Sequence, residues 1–279
     1  MNLSPKIEFS LDNVIKSKCQ LGEGLYLDTK ISSWVDIYKN KLYTYKNNNL
    51  ETYTLKNKPS VILSIDKNEY TIGCDIGICS YNTVTRDEVL ITNYPKNHNF
   101  KNFRSNDGVI FGDSTLLGFM HRENPKDNSG FIYSISGKSI SVFEEENFIP
   151  NSFIKLNSSN ILISDSLHGE IWLYSFNSST NKFNKKLWTT INKECSPDGG
   201  CKIKDLVFIA LWDAAAIGVF SLDGKIICKL EVPVQRPTNC KYDPISSQLW
   251  ITSALDGLSN QQIKTYPKSG DTLIYNLKF

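Results

Sequence analysis

Five oxygen-bearing residues sit in short polar motifs, each ahead of an apolar run. They are Glu23 in "LGEG", Asn106 in "RSNDG", Asn151 in "IPNS", Asp198 in "SPDGG" and Asn239 in "RPTNC". From Asn106 onward they recur at intervals of 45, 47 and 41 residues. Glu23 precedes Asn106 by 83 residues, two such steps, and "KPSVILS" around Ser60 fills the gap. Carboxylates and amides without His or Cys are the donors a hard divalent cation prefers. Calcium is the first expectation, with magnesium, manganese or zinc as alternatives. Arg104 adds a planar fork of donors beside Asn106, which both donates and accepts, so this stretch could hold a polar ligand. The competing reading is local, because PDG, NDG and GEG are ordinary turn sequences. Asp107 and Gly108 in particular read as turn chemistry.

The elements available to position these residues are strands. Helical periodicity is almost absent, and short β-branched and aromatic runs such as "KLYTYK", "VILSI", "NILISD", "EIWLYSF" and "QLWITSA" recur between Asn, Asp, Gly, Lys and Ser clusters. "GKSI", "LHGEI" and "LDGKI" read as hairpin turns, and "DSTLLGFM" as a buried strand. About four strands per repeat and six repeats in 279 residues predict an all-β fold, a six-bladed β-propeller forming one domain over 1–279. A sandwich would also supply many short strands, but no period of this size. In a propeller the first strand of each blade lines the central channel, so the five residues would converge at one end of it.

Bulk properties narrow the function. The composition is 40% hydrophobic and 22% charged with a net charge of +2, which is globular. Charges are interspersed, and the one short basic run, "NKFNKK", reads as a solvated hairpin tip, so nucleic acid is not an expected partner. No apolar run approaches a membrane span, and the first residues lack the apolar core of a signal peptide. Seven scattered cysteines suit reduced thiols and a cytoplasmic location. Cys195 and Cys201 have no matching second pair for a zinc site. A nucleophile elbow of the G-x-S-x-G type is missing, and His98, His121 and His168 do not cluster by motif. His121 is close to Glu123 in sequence and could touch the pocket. A closed propeller has few free edges, so a monomer is the default.

"LGEG…WVDI", "RSNDG", "GFMHREN", "IPNS", "SPDGGC" and "RPTNCKYDPISSQLWITSA" resemble, in order and spacing, the family of regucalcin, gluconolactonase and luciferin-regenerating enzyme. The resemblance runs from about Cys19 to about Ala254. It implies a propeller holding one divalent metal and, in many members, hydrolysing sugar lactones. Carried over by motif, the metal ligands are Glu23, Asn151 and Asp198, with Asp198 also the general base. The substrate contacts are Arg104, Asn106 and Glu123, and Asp165 matches a polar position at the end of a strand. An esterase or phosphotriesterase-type hydrolase on the same site, or a non-catalytic calcium- or ligand-binding propeller, are the alternatives. The chain departs from the family pattern at Leu25 and Leu27, where proline and tryptophan are usual. Ala214–Ala216 replace a bulkier or glycine-rich loop, and could widen the channel mouth or tighten a turn.

Overall fold

The computed structural model describes residues 7–28, 31–95, 101–180, 182–192 and 194–279; His98 and Asn181 lie outside them. Among the described residues twenty-four strands form six four-stranded antiparallel sheets arranged as a six-bladed propeller. Strand β1 (Glu8–Ile15) comes first in the chain but last in its sheet. Blade one is β2 (Gly22–Leu27), β3 (Ser32–Asp36), β4 (Lys41–Lys46) and β5 (Asn49–Thr54). Blade two is β6 (Pro59–Asp66), β7 (Glu69–Cys74), β8 (Gly77–Asn82) and β9 (Glu88–Asn93). Blade three is β10 (Phe103–Phe111), β11 (Ser114–His121), β12 (Phe131–Ser136) and β13 (Ser139–Glu144). Blade four is β14 (Pro150–Lys155), β15 (Asn160–Asp165), β16 (Glu170–Asn177) and β17 (Lys182–Thr190). Blade five is β18 (Ser196–Ile203), β19 (Leu206–Trp212), β20 (Ala216–Ser221) and β21 (Ile226–Glu231). Blade six is β22 (Pro237–Asp243), β23 (Gln248–Ser253) and β24 (Thr272–Lys278), completed by β1 on the outside. Pairing of β1 with β24, from Glu8↔Lys278 to Ile15↔Thr272, locks the two ends of the chain into one sheet and closes the ring. Among the described residues there is one short helix, α1 (Asn260–Thr265), held by a Ser259–Gln262 capping box between β23 and β24.

Burial follows strand position. Second strands such as β15, with "ILISD" buried throughout, are covered on both faces by neighbouring blades. Fourth strands such as β9 and β17 are largely exposed. The "NKFNKK" lysines accordingly sit within the outer strand β17 rather than on a hairpin tip. Each wedge between blades is filled by apolar side chains, for example Leu117, Phe119 and Tyr133 with Val61 and Leu63. Full burial of one such side chain stabilises by roughly 1.5–3 kcal/mol. Trp34 is fully buried and stacks on Tyr43 at 5.6 Å, so it is packing. All seven cysteines are free thiols.

The alanine run after Trp212 resolves as a tight turn. Asp213 and Ala215 have φ of 68° and 50°, and the Ala215 N–H donates to the Gln235 carbonyl at 3.2 Å. The motifs that resemble turns behave differently. "RSNDG", "PNS", "SPDGG" and "GEG" lie inside the innermost strands β10, β14, β18 and β2.

Candidate functional site

Every innermost strand breaks register at its polar motif, and β6 breaks a second time between Ile62 and Ser64. The shifts lie between Glu23 and Tyr26, Ser105 and Gly108, Asn151 and Ile154, Pro197 and Gly200, and Pro237 and Asn239, with a similar one after Pro59. A bulge inserts one extra residue, bends the strand and re-aims a side chain. Proline and glycine suit these places: proline gives up an N–H at a strand start or bulge, and glycine admits close approach. A Cβ on Gly24 (φ 60°) would lie 2.8 Å from the Ser60 carbonyl oxygen, and one on Gly199 would lie 2.3 Å from the Asn239 amide.

Four of these bulges bring Glu23, Asn106, Asn151 and Asp198, together with Arg104, to one cavity of about 240 Å³ at the N-terminal ends of the inner strands. All five are buried. Asn151 Nδ2 donates to Asp198 Oδ1 at 2.6 Å, and the Glu23 carboxyl lies within hydrogen-bonding reach of Asp198. Two carboxyls in contact cannot both carry charge cheaply. Burial, then the charge of Asp107, pushes Asp198 up to about 8. Burial, followed by the charges of Asp198 and Asp107, raises Glu23 well above the ordinary glutamate range. Such a pair is satisfied by a shared proton or by a cation. Two carboxylates and an amide oxygen therefore fit a hard divalent ion chemically, provided Asn151 turns its oxygen inward. Among the described residues no cluster of three or more His, Cys, Asp or Glu is placed to hold a metal, so the amide is needed as third donor.

On the other side of the cavity Arg104 Nη1 donates to Asn106 Oδ1 at 2.7 Å and to the Ser105 carbonyl at 3.1 Å. Its guanidinium lies 5.9 Å from the Tyr38 ring centre. Asn106 Nδ2 donates to the Pro150 carbonyl at 3.0 Å. The apolar part of the lining includes Met120, Ile149 and Trp212.

Side chains from adjoining blades pin the backbone next to each of the three carried-over ligands. Thr238 Oγ1 donates to the Gly22 carbonyl, Asn106 holds Pro150, Ser152 Oγ donates to the Asp198 carbonyl, and Ser166 Oγ donates to the Pro197 carbonyl at 2.6 Å. Sequence reasoning missed Thr238, Ser152 and Ser166, since a lone hydroxyl carries no local signal. Asp107 differs from its sequence reading as turn chemistry. It is buried inside β10, accepts from the Gly108 and Phe153 N–H groups at 2.8 and 3.4 Å, and so ties blade three to the bulge carrying Asn151.

Four candidates lie elsewhere. Asn239 is 2% exposed but lines a different cavity further down the channel, because Thr238 is the extra residue of its bulge. Glu123 is exposed in the loop after β11 and does not line the upper cavity. His121 Nδ1 accepts the Asn124 N–H at 3.0 Å and steadies that loop. Asp165 accepts from the backbone N–H groups of Phe148, Ile149 and Leu167 and contacts His168 at 2.8 Å, so it anchors the approach to Asn151 from behind.

A closed ring of six blades with an acidic and amide site at one end of its channel defines the class of protein. Residues 21–255 match the sequence profile of the SMP-30/Gluconolactonase/LRE-like region, and the chain belongs to that family. A Rhizobium meliloti (strain 1021) protein provisionally named as a sugar lactone lactonase is 23% identical over 277 residues, spanning 95% of this chain and 93% of its own. Among solved structures, a calcium-binding regucalcin from Agrobacterium tumefaciens superposes with a TM-score of 0.86 at 20% identity, covering 95% of this chain and 93% of that one. A luciferin-regenerating enzyme superposes with a TM-score of 0.83 at 17% identity, covering 98% and 96%. These superpositions establish the shared fold.

Proposed function

We propose that the protein is a metal-dependent hydrolase of sugar lactones, working at the upper cavity. The observation that carries this reading is the contact of Asp198 with both Asn151 and Glu23, three side chains from three blades around one point. Glu23, Asn151 and Asp198 would hold the ion, calcium in the first instance, with zinc, manganese or magnesium as alternatives. A bound divalent ion supplies Lewis acidity toward the lactone carbonyl and makes water more acidic. Asp198 takes the proton from the attacking water at its carboxylate. Arg104 and Asn106 orient the ring oxygen and hydroxyls by directional hydrogen bonds, and Arg104 opposes the charge gathering on the carbonyl oxygen. Met120, Ile149 and Trp212 limit the water around the ester bond. The Rhizobium relative's name supports the lactone as substrate class. No helix among the described residues is long and apolar enough to cross a membrane, and the reading includes a monomer in the cytoplasm acting on a small molecule.

The test is hydrolysis of gluconolactone, other lactones and p-nitrophenyl esters after chelation, with each cation added back. Metal-restored lactone turnover that falls at least 100-fold in Asp198→Asn, with the variant's melting profile intact, is the expected result. Ester turnover without lactone turnover would move the assignment to an esterase. Tight cation binding without any turnover would make this a binding propeller.

A further inference from the structure

The N-terminal ends of the inner strands meet at the upper cavity. Their C-terminal ends meet at a second one of about 990 Å³, at the opposite mouth of the channel. Lys155 from blade four, Lys202 and Lys204 from blade five and Lys241 from blade six converge there. Asp107 is the one carboxylate among its described aspartate and glutamate lining. Four lysines against one aspartate place more positive charge at this mouth than the whole chain carries, a net +2. None of the four forms an ion pair with a described residue. Lys241 Nζ instead donates to the Gly200 carbonyl at 2.9 Å.

The depth of the same cavity has the opposite character. Asn239 is 98% buried, and its Oδ1 has no hydrogen-bond partner among the described residues. Leaving a buried acceptor unmet costs about 1–3 kcal/mol, so a donor belongs beside it. Asp107, also buried, adds acceptor oxygens at that depth. Cations at the rim therefore stand above hydrogen-bond acceptors further in.

We propose that this mouth is a second ligand site, separate from the upper cavity, for a polyhydroxylated anion: a sugar acid or a sugar phosphate. Hydroxyls donate to Asn239 Oδ1 and Asp107, and the carboxylate or phosphate meets the lysines. A neutral sugar engages only the deep acceptors, and an inorganic anion only the rim. The proposal does not depend on the upper cavity being a lactonase site.

Calorimetric titration of the purified protein with gluconate, glucose 6-phosphate, glucose and inorganic phosphate tests it. At least one sugar anion binds, and glucose and phosphate bind at least tenfold more weakly; which sugar anion is tighter identifies carboxylate or phosphate as the head group. The exposed pair Lys202→Glu/Lys204→Glu weakens that binding at least tenfold with unchanged melting temperature, while Asp198→Asn leaves it intact. Absence of sugar-anion binding at millimolar concentration, full binding in the lysine variant, or loss of binding in Asp198→Asn would each overturn the proposal. Loss of lactone turnover with sugar-anion binding preserved would count against the upper-cavity reading alone.

Discussion

Asn151 Nδ2 donates to Asp198 Oδ1 across 2.6 Å, while the oxygen of the same amide accepts the Ser152 N–H at 3.2 Å. The amide thus presents its donor face to the carboxyl pair. Turning it by half a revolution exchanges donor for acceptor without moving the strand. A cation between Glu23 and Asp198 favours the oxygen-inward orientation. Asn151→Ala is expected to weaken calcium binding about tenfold. Asn151→Asp lowers the melting temperature in chelator and lets calcium recover it, because a third carboxylate is added beside two that already repel. Calorimetric titration and thermal melts of both variants check this; unaltered calcium affinity in Asn151→Ala would remove the residue from the ligand set.

The pH dependence of stability follows from the buried carboxyls. Burial keeps Asp198 protonated up to about 8, and raises Glu23 and Asp107 as well. In the unfolded chain such groups give up their protons near pH 4. Between about pH 4 and 8 the native state therefore binds more protons than the unfolded one, and stability of the cation-free protein falls as pH rises. A cation replaces the proton, so its stabilising effect grows over the same interval. Melts in chelator are expected to lose several degrees from pH 5 to pH 8, with calcium restoring more at pH 8. A chelated protein that is equally stable at both values would contradict the buried pair.

Ser152 joins backbone geometry to the site. Its φ is 52°, a region non-glycine residues seldom occupy, and its hydroxyl donates to the carbonyl of Asp198. Ser152→Gly accepts the backbone and removes the hydroxyl; Ser152→Ala removes the hydroxyl and keeps the Cβ. Both are expected to weaken calcium binding several-fold, with Ser152→Ala also losing more thermal stability. A drop in melting temperature with unchanged calcium affinity in both would mean that the hydroxyl only supports the fold.

Arg104 and Glu123 should part company in kinetics. Arg104→Lys keeps a charge but loses the planar guanidinium whose Nη1 holds both Asn106 and the Ser105 carbonyl, and is expected to lower kcat/KM on a lactone at least tenfold, chiefly through KM. Glu123→Gln, on an exposed loop, is expected to change it less than threefold. Steady-state assays of the two variants decide, and a large loss in Glu123→Gln would show that the loop closes over the substrate.

The six-fold repeat was legible in the sequence because blade length imposes a period that a polar motif marks each time. So was the membership of Glu23, Asn151 and Asp198 in one group. Their local structure was not. A proline–aspartate–glycine run satisfies a turn and a bulge equally well, since both ask for a missing donor and a permissive backbone. Asp107 was read as a turn residue for that reason, and Asn239 was placed with the upper group.

What the sequence determined alone is the class of element, its length and its recurrence, all of which follow from the alternation and spacing of side chains along one strand. Direction was decided by the tertiary structure. A single extra residue in an inner strand reverses which side chain faces the channel, and that register is set by pairing with the next strand. The same holds for the lysines of the lower mouth, 155, 202, 204 and 241 in a chain of balanced charge. Their nearness exists only once the ring has closed.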